Sequence, residues 1–454
     1  MKKSITFVIS TVFQDAGDAT RALELAKGIE KYKPKDIQPR IIFFSHGSRF
    51  EQKARDLGFE VYPVEPAMSG QGLYQDLKMT PKNFVGTLDL AKQLIAGEIK
   101  AYREIKPDII LHGFWPMAGP ARRMLPEEIP GICFIPLPLT EAFFDAIPAV
   151  PEQAKLFYLL PPPLGLWLFR HIPKFIKKRI PFIRQTNIRR AACELGWKKE
   201  KLLNLFDLLK ADIILVNDIP DYYGAAEFPP NLFFTGPLFA KSGNDEKIDA
   251  EILKIFSPEN SRTKIFCTLS SAGTQTMLRE VIKTFTYGKG LEWDAVILSP
   301  HYALDEARKL SGNREGIYIT DKFVPAQKIN AMADVVICHG GQGTVQTAMN
   351  SGTPLVGVAM QQEQFINLSN IAARGAGIRI PLAKWNSENI REAVNKIISD
   401  KAFKQAALKL QERMKKMDGE KNSAEIIWNF AASQKVLLQS YPIENQEIQN
   451  FVKP

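Results

Sequence analysis

The chain reads as an α/β protein made of two consecutive domains, each a parallel sheet flanked by helices. Short β-type apolar runs alternate with helix-length amphipathic segments along most of the chain. The alternation breaks at a polar stretch, 241–247 (KSGNDEK), just after Gly236-Pro237, and then begins again. With 454 residues there is room for more than one core. Strands separated by helices pair in parallel through right-handed crossovers.

The first domain, 1–240, has strands at Ile5–Val12, Ile41–Phe44, Val61–Val64, Ile109–Leu111, Ile132–Ile135, Ile213–Val216 and Leu232–Thr235. Helical spacing lies between them, for instance at Ala22, Leu25, Ala26 and Ile29. A linker, 241–262, leads to the second domain, 263–420. Its strands are Ile265–Leu269, Ala295–Leu298, Ile317–Ile319, Val335–Cys338, Leu355–Val358 and Ile378–Ile380. A closing helix and tail, 421–454, has its helix over Ala424–Leu438.

Composition removes several function classes. Lys2 and Lys3 precede a β-branched run with no small-residue cleavage pattern, which reads as the first strand rather than a secretory signal. The longest apolar run, Leu156–Phe169, is too short to span a bilayer and contains three prolines. Four well-separated cysteines without C-x-x-C spacing read as reduced thiols, not a structural metal site. A cytoplasmic protein is therefore expected.

The net charge of +10 is uneven. Gln153–Cys193 has no acid but holds Arg170, Lys174, Lys177, Lys178, Arg179, Arg184, Arg189 and Arg190, interleaved with Trp167, Phe169, Phe175, Ile176, Ile180 and Phe182. The segment is open between a solvated basic face and peripheral contact of 164–190 with an anionic inner membrane surface. Nucleic acid is not expected.

The stretch Ile337–Asn367 concentrates polar chemistry. His339, Gly340, Gly341, Gln342 and Gly343 separate a buried strand from a helix beginning near Thr344. Ligands of open α/β sheets bind at that carboxyl edge. A helix N-terminus offers unpaired N–H donors and partial positive charge, which suit a phosphate, and glycine lets the backbone approach closely. A plain strand–helix turn has the same look, so wider context decides.

That context resembles the donor-binding signature of the family 1 glycosyltransferases, two-domain GT-B proteins whose parallel sheets face across a cleft. FVPAQKI (323–329) is similar to the segment holding the nucleobase, implicating Phe323 and Val324. HGGQGT (339–344) resembles the diphosphate loop, implicating His339, Gly341, Gly343 and Thr344. SGTPLVGVAMQQEQFIN (351–367) resembles the stretch whose acid and glutamine, here Glu363 and Gln364, grip the sugar. TLSSAGT (268–274) stands where the family has a G-S loop, so Ser271 is expected to face the diphosphate. GPLF (236–239), 393–414 and, more loosely, TNIRRAACELGW (186–197) extend the resemblance towards the sterol and glycopeptide-antibiotic branch.

After the first strand, many members carry Gly-His, the histidine being the base. This chain has Gly17-Asp18, as that branch does, which implies Asp18 as base with Asp15 in reserve. An aspartate before ATRALELA also serves as a helix N-cap, and the two readings coexist. His112, at a strand end in PDIILHGFW, is a candidate to line the acceptor cleft or orient the base. Where many members have a ribose-binding glutamate, this chain has Thr347. UDP and dTDP donors both stay open, with UDP slightly ahead because the Gly-Asp branch often lacks this glutamate and still uses uridine donors.

The resemblance implies an inverting hexosyltransferase acting on a nucleotide sugar and a small lipophilic acceptor of sterol, polyketide or lipid type, lined by Phe143–Phe182. There is no D-x-D, so no metal is expected. A non-catalytic partner protein and a nucleotide-sugar epimerase are the alternatives.

Overall fold

Alternating apolar runs and amphipathic segments resolve into two parallel sheets. The computed structural model describes residues 3–70, 72–151, 154–224, 226–240, 247–269, 274–299, 304–322 and 324–434. The chain divides into two units. Met1–Ile147, Trp167–Leu238 and Met417–Pro454 form the first; Pro148–Leu166 and Phe239–Lys416 form the second.

The first unit holds β1 (Lys3–Ser10), β2 (Ile37–Ser45), β3 (Glu60–Pro63), β4 (Ile109–His112), β5 (Gly131–Ile135), β6 (Ile213–Val216) and β7 (Leu232–Phe234), in the order β3-β2-β1-β4-β5-β6-β7. Ile5, Phe7 and Ile9 of β1 face helices Ala16–Lys31 and Gly419–Ser433, while Val8 faces helix Leu88–Ile105. A parallel strand buried on both faces must be apolar at every position, and that is why β1 reads as a continuous run.

The second unit holds β8 (Thr263–Thr268), β9 (Trp293–Leu298), β10 (Ile317–Thr320), β11 (Val335–Cys338), β12 (Leu355–Gly357) and β13 (Gly377–Arg379), ordered β10-β9-β8-β11-β12-β13. In each sheet the winding direction reverses beside the first strand, between β1 and β4 and between β8 and β11. Ser10 lies in register with His112, and Cys338 with Thr268. Connections that leave a sheet in opposite directions open a crevice at their carboxyl ends, and ligands of such sheets bind there.

Several boundaries differ from the sequence reading. β1 ends at Ser10, because Thr11 turns the chain and its carbonyl accepts from Phe13 N at 2.8 Å. Of the stretch read as linker, 241–246 lies outside the described residues, and 247–262 contains helix Ala250–Ile255. That helix buries Ile252, and its Asp249 cap accepts from the Tyr318 hydroxyl at 2.8 Å, so it belongs to the packing of the second unit.

The closing helix is Gly419–Ser433, capped by Asp418, and residues beyond 434 lie outside the described set. It packs on the first unit. Trp428 meets Phe7 edge-on at 5.3 Å, and its Nε1 donates to Ile29 O at 3.0 Å. Gly28 allows the helices to cross closely, since a Cβ there would lie 2.9 Å from Glu420 O.

The basic segment breaks into short helices, Pro162–His171, Lys174–Lys177 and Pro181–Arg184. Lys177, counted on a charged face, is buried instead: Nζ donates to Arg170 O at 2.7 Å and lies 5.6 Å from the Phe144 and Phe169 rings. Lys174 pairs with Asp145 at 2.6 Å, and Lys178 with Glu141, acids outside the acid-free stretch.

Candidate active site

At the second switch point, β11 runs into His339 and Gly340. Gly340 adopts φ +83°, where a side chain is strained, and a Cβ would sit 2.6 Å from Leu368 Cγ. Gly341 is the N-cap of helix Gln342–Asn350 and supplies no side-chain bond to it. The first-turn N–H groups therefore lack the usual side-chain acceptor. A Cβ on Gly341 would strike the His339 ring, which places the imidazole against the start of the helix. Among the described residues nothing lies within 4 Å of a Cβ position on Gly343, and the glycine is exposed. Donors, dipole and open space coincide on one face, the arrangement that receives an anion.

Helix Gln362–Ala373 braces this loop. Asn367 Nδ2 donates to Gly340 O at 3.0 Å and also approaches Glu363 Oε1 at 3.4 Å. Glu363 is half-buried in the first turn. Gln364 is used differently from the sequence reading. Its Oε1 accepts from Met360 N at 2.9 Å and Gln361 N at 3.3 Å, as half of a capping box. Thr347 donates to Thr344 O at 3.0 Å and is buried, which leaves a neutral side chain tied to backbone where many family members carry a carboxylate. Val324 is buried against Ile252 and Ile329. Ser271 and Phe323 lie outside the described residues.

At the first switch point the two aspartates have separate duties. Asp15 is the N-cap: its Oδ1 accepts from Gly17 N at 2.8 Å and Asp18 N at 3.3 Å. Asp18, three residues on, is spared that task and turns inward, 9% exposed, with Oδ1 accepting from Arg21 Nη2 at 2.7 Å. Burial raises the Asp18 carboxyl to about 6, the nearby Arg21 guanidinium lowers it, and Asp15 raises it further.

His112 closes β4 beside Ser10 but has no exposed surface, so it lines no open wall. Its Nδ1 lies 3.4 Å from Gly113 O, and its Nε2 has no partner among the described residues. Burial, reinforced by Arg122, holds the imidazole down at about 3, neutral across the physiological range. Beneath it the fully buried Glu98 accepts from Ser10 Oγ at 2.7 Å and Trp115 Nε1 at 2.9 Å, tying the carboxyl ends of β1 and β4 together.

Residues 294–440 match the family model described as the Erythromycin biosynthesis protein CIII-like, C-terminal domain. The PGL/p-HBAD biosynthesis glycosyltransferase of Mycobacterium tuberculosis (strain ATCC 25177 / H37Ra) is 23% identical over 390 residues, covering 82% of this chain and 81% of that protein. The glycotransferase of kitacinnamycin superposes with a TM-score of 0.63 at 18% identity, over 93% of this chain and 98% of that one. Glycosyltransferase VinC, in complex with dTDP, superposes with a TM-score of 0.63 at 15% identity, over 94% and 100%. Together these matches support a family 1 glycosyltransferase. The chain has the GT-B fold and is an enzyme of the hexosyltransferase type.

Two residues important to this glycosyltransferase's geometry escaped the sequence reading. Asn367 stood inside a quoted motif without a stated role, because nothing local shows that it reaches Gly340. Arg21 lies one helical turn beyond Asp18, and its i, i+3 spacing was the available signal.

Proposed function

We propose that the enzyme is an inverting transferase that needs no metal and moves a hexose from a nucleoside diphosphate to a hydroxyl of a lipophilic acceptor. The observation that carries this is the division of labour at the first loop: with Asp15 holding the helix end, Asp18 is available as base. As the acceptor oxygen attacks the anomeric carbon, its proton passes to Asp18. The bond to the diphosphate breaks with its electron pair, and the first-turn N–H groups of Gln342–Asn350, Thr344 and His339 receive the charge. Glu363 takes the sugar hydroxyls, and Gln364 serves through its amide N–H, since its oxygen is held in the cap. His112 stays a neutral strut below this chemistry.

For the donor we place thymidine ahead of uridine. Thr347 offers no carboxylate to a ribose 2′-hydroxyl, and a relative of the same fold was crystallised with dTDP. Competing dTDP- and UDP-glucose in one assay tests this; a higher kcat/KM for the uridine donor would reverse the order.

The lipophilic acceptor finds support in exposed Trp167 (54%) and Phe175 (61%), beside Ile176 and Ile180. With Lys177 buried and Lys174 and Lys178 paired, membrane contact through 164–190 would rest more on the exposed apolar side chains than on these three lysines. Among the described residues no helix is long and apolar enough to cross a membrane. Flotation should give similar binding to neutral and anionic vesicles; none to either removes the contact.

The deciding experiment is nucleotide release over an acceptor panel. Asp18→Asn should lose about 10²–10⁴-fold in kcat. Undiminished turnover would remove Asp18 as base, and product formed without acceptor would favour an epimerase.

A further inference from the structure

The buried acid of the first loop is held by a buried cation. Arg21 is 4% exposed, and its Nη2 donates to Asp18 Oδ1 at 2.7 Å. Residues three apart share a helix face, so the pair is built into the opening turns of helix Ala16–Lys31. Withdrawing a guanidinium from water costs several kcal/mol unless its charge is met. A simple cap needs no such partner, and Asp15 already provides the cap.

We infer that Arg21 is a positioning residue for the transfer: it clamps Oδ1 of Asp18, keeps that carboxylate ionised in its dry surround, and leaves Oδ2 to take the acceptor's proton. This rests on the reading of Asp18 as base. In the step, the acceptor O–H bond breaks and its proton goes to Oδ2. The acceptor oxygen bonds to the anomeric carbon, and the diphosphate departs with the electron pair.

The charges around Asp18 are few. Burial pushes its carboxyl up, Arg21 pulls it down, and Asp15 pushes it up from the cap. Elsewhere on this helix Glu24 pairs with Lys27, and Lys31 with Glu420 of the helix packed across it. On the neighbouring strands, His112 of β4 stays neutral and Glu98 lies under Ser10. Among the described residues Arg21 is thus the one cation acting on this carboxyl.

The test is the pH dependence of kcat/KM for wild type, Arg21→Gln, Arg21→Lys and Asp18→Asn, with thermal melts to verify folding. In Arg21→Gln the acid limb should move upward by about one pH unit or more, and Arg21→Lys should restore most of it. A limb that stays in place while the rate falls at every pH would make Arg21 merely structural and overturn the inference. If Arg21→Gln does not fold, Arg21→Lys decides alone: an acid limb displaced part-way upward supports the clamp, and a limb that stays in place while kcat falls overturns it. Full activity in Asp18→Asn removes the base itself. An inactive Asp18→Asn with an unmoved Arg21→Gln limb removes only the role of Arg21.

Discussion

The two switch points share a topology and differ in how they finish the helix that follows. After β1 the helix end is closed: the Asp15 carboxylate takes two backbone N–H groups, and Asp18 adds a second acid in the first turn. After β11 the helix end is open, with Gly341 as a cap that has no side chain and space around Gly343. The same sheet order therefore produces opposite fields. An anion meets two carboxylates at the first site and a helix end without a side-chain cap at the second. In the proposed reaction the first would hold a base against a neutral alcohol and the second a diphosphate. In a doubly wound protein the cap residue, not the strand order, decides what the crevice binds.

The sharpest way to break this contrast is to disable each side separately. Asp18→Asn should abolish nearly all turnover while nucleotide diphosphate binding by calorimetry stays within about twofold. His339→Ala should lose about 10²–10³-fold in kcat and also weaken that binding. If Asp18→Asn weakens nucleotide binding as much as His339→Ala does, the assignment of separate duties fails.

Next in size is Gly340→Ala. The φ of +83° and the approach to Leu368 predict about 2–4 kcal/mol of destabilisation. It should appear as a lower melting transition with nucleotide binding lost. A variant with wild-type melting and binding would show that the loop tolerates another backbone.

The smallest effect sharpens the first site. Folded His112 resists protonation down to about 3, whereas the unfolded chain takes the proton near the ordinary imidazole value of 6.5. Between those values the unfolded state binds more protons, so this group's contribution to stability falls as pH falls. Urea denaturation of His112→Asn should show a weaker loss between pH 6.5 and 4.5 than wild type, by about 2 kcal/mol. Parallel losses would place the histidine in contact with solvent.

The strands were legible because parallel strands buried on both faces leave long apolar runs in the sequence. The glycine bend after β11 was legible because glycines at a strand–helix junction are a local feature, and Gly340 does take the positive φ that glycine allows. Which aspartate caps the first helix was not. Asp15 and Asp18 are both good cap types, and the choice depended on the turn at Thr11 and on a buried arginine to receive the other acid. Gln364 shows the same limit: its carbonyl oxygen accepts from Met360 N and Gln361 N, bonds that residue type and spacing do not announce.

By itself the sequence determined the two parallel sheets, the glycine bend and the family resemblance, since each is written in spacing and residue type along a few consecutive positions. Only the tertiary structure decided that Asp18 faces inward with Arg21, that His112 lies beneath the surface, that Lys177 leaves the charged face, and that the last helix seats Trp428 on Phe7. Those outcomes depend on desolvation and on partners brought from distant parts of the chain, and neither is recorded in local periodicity.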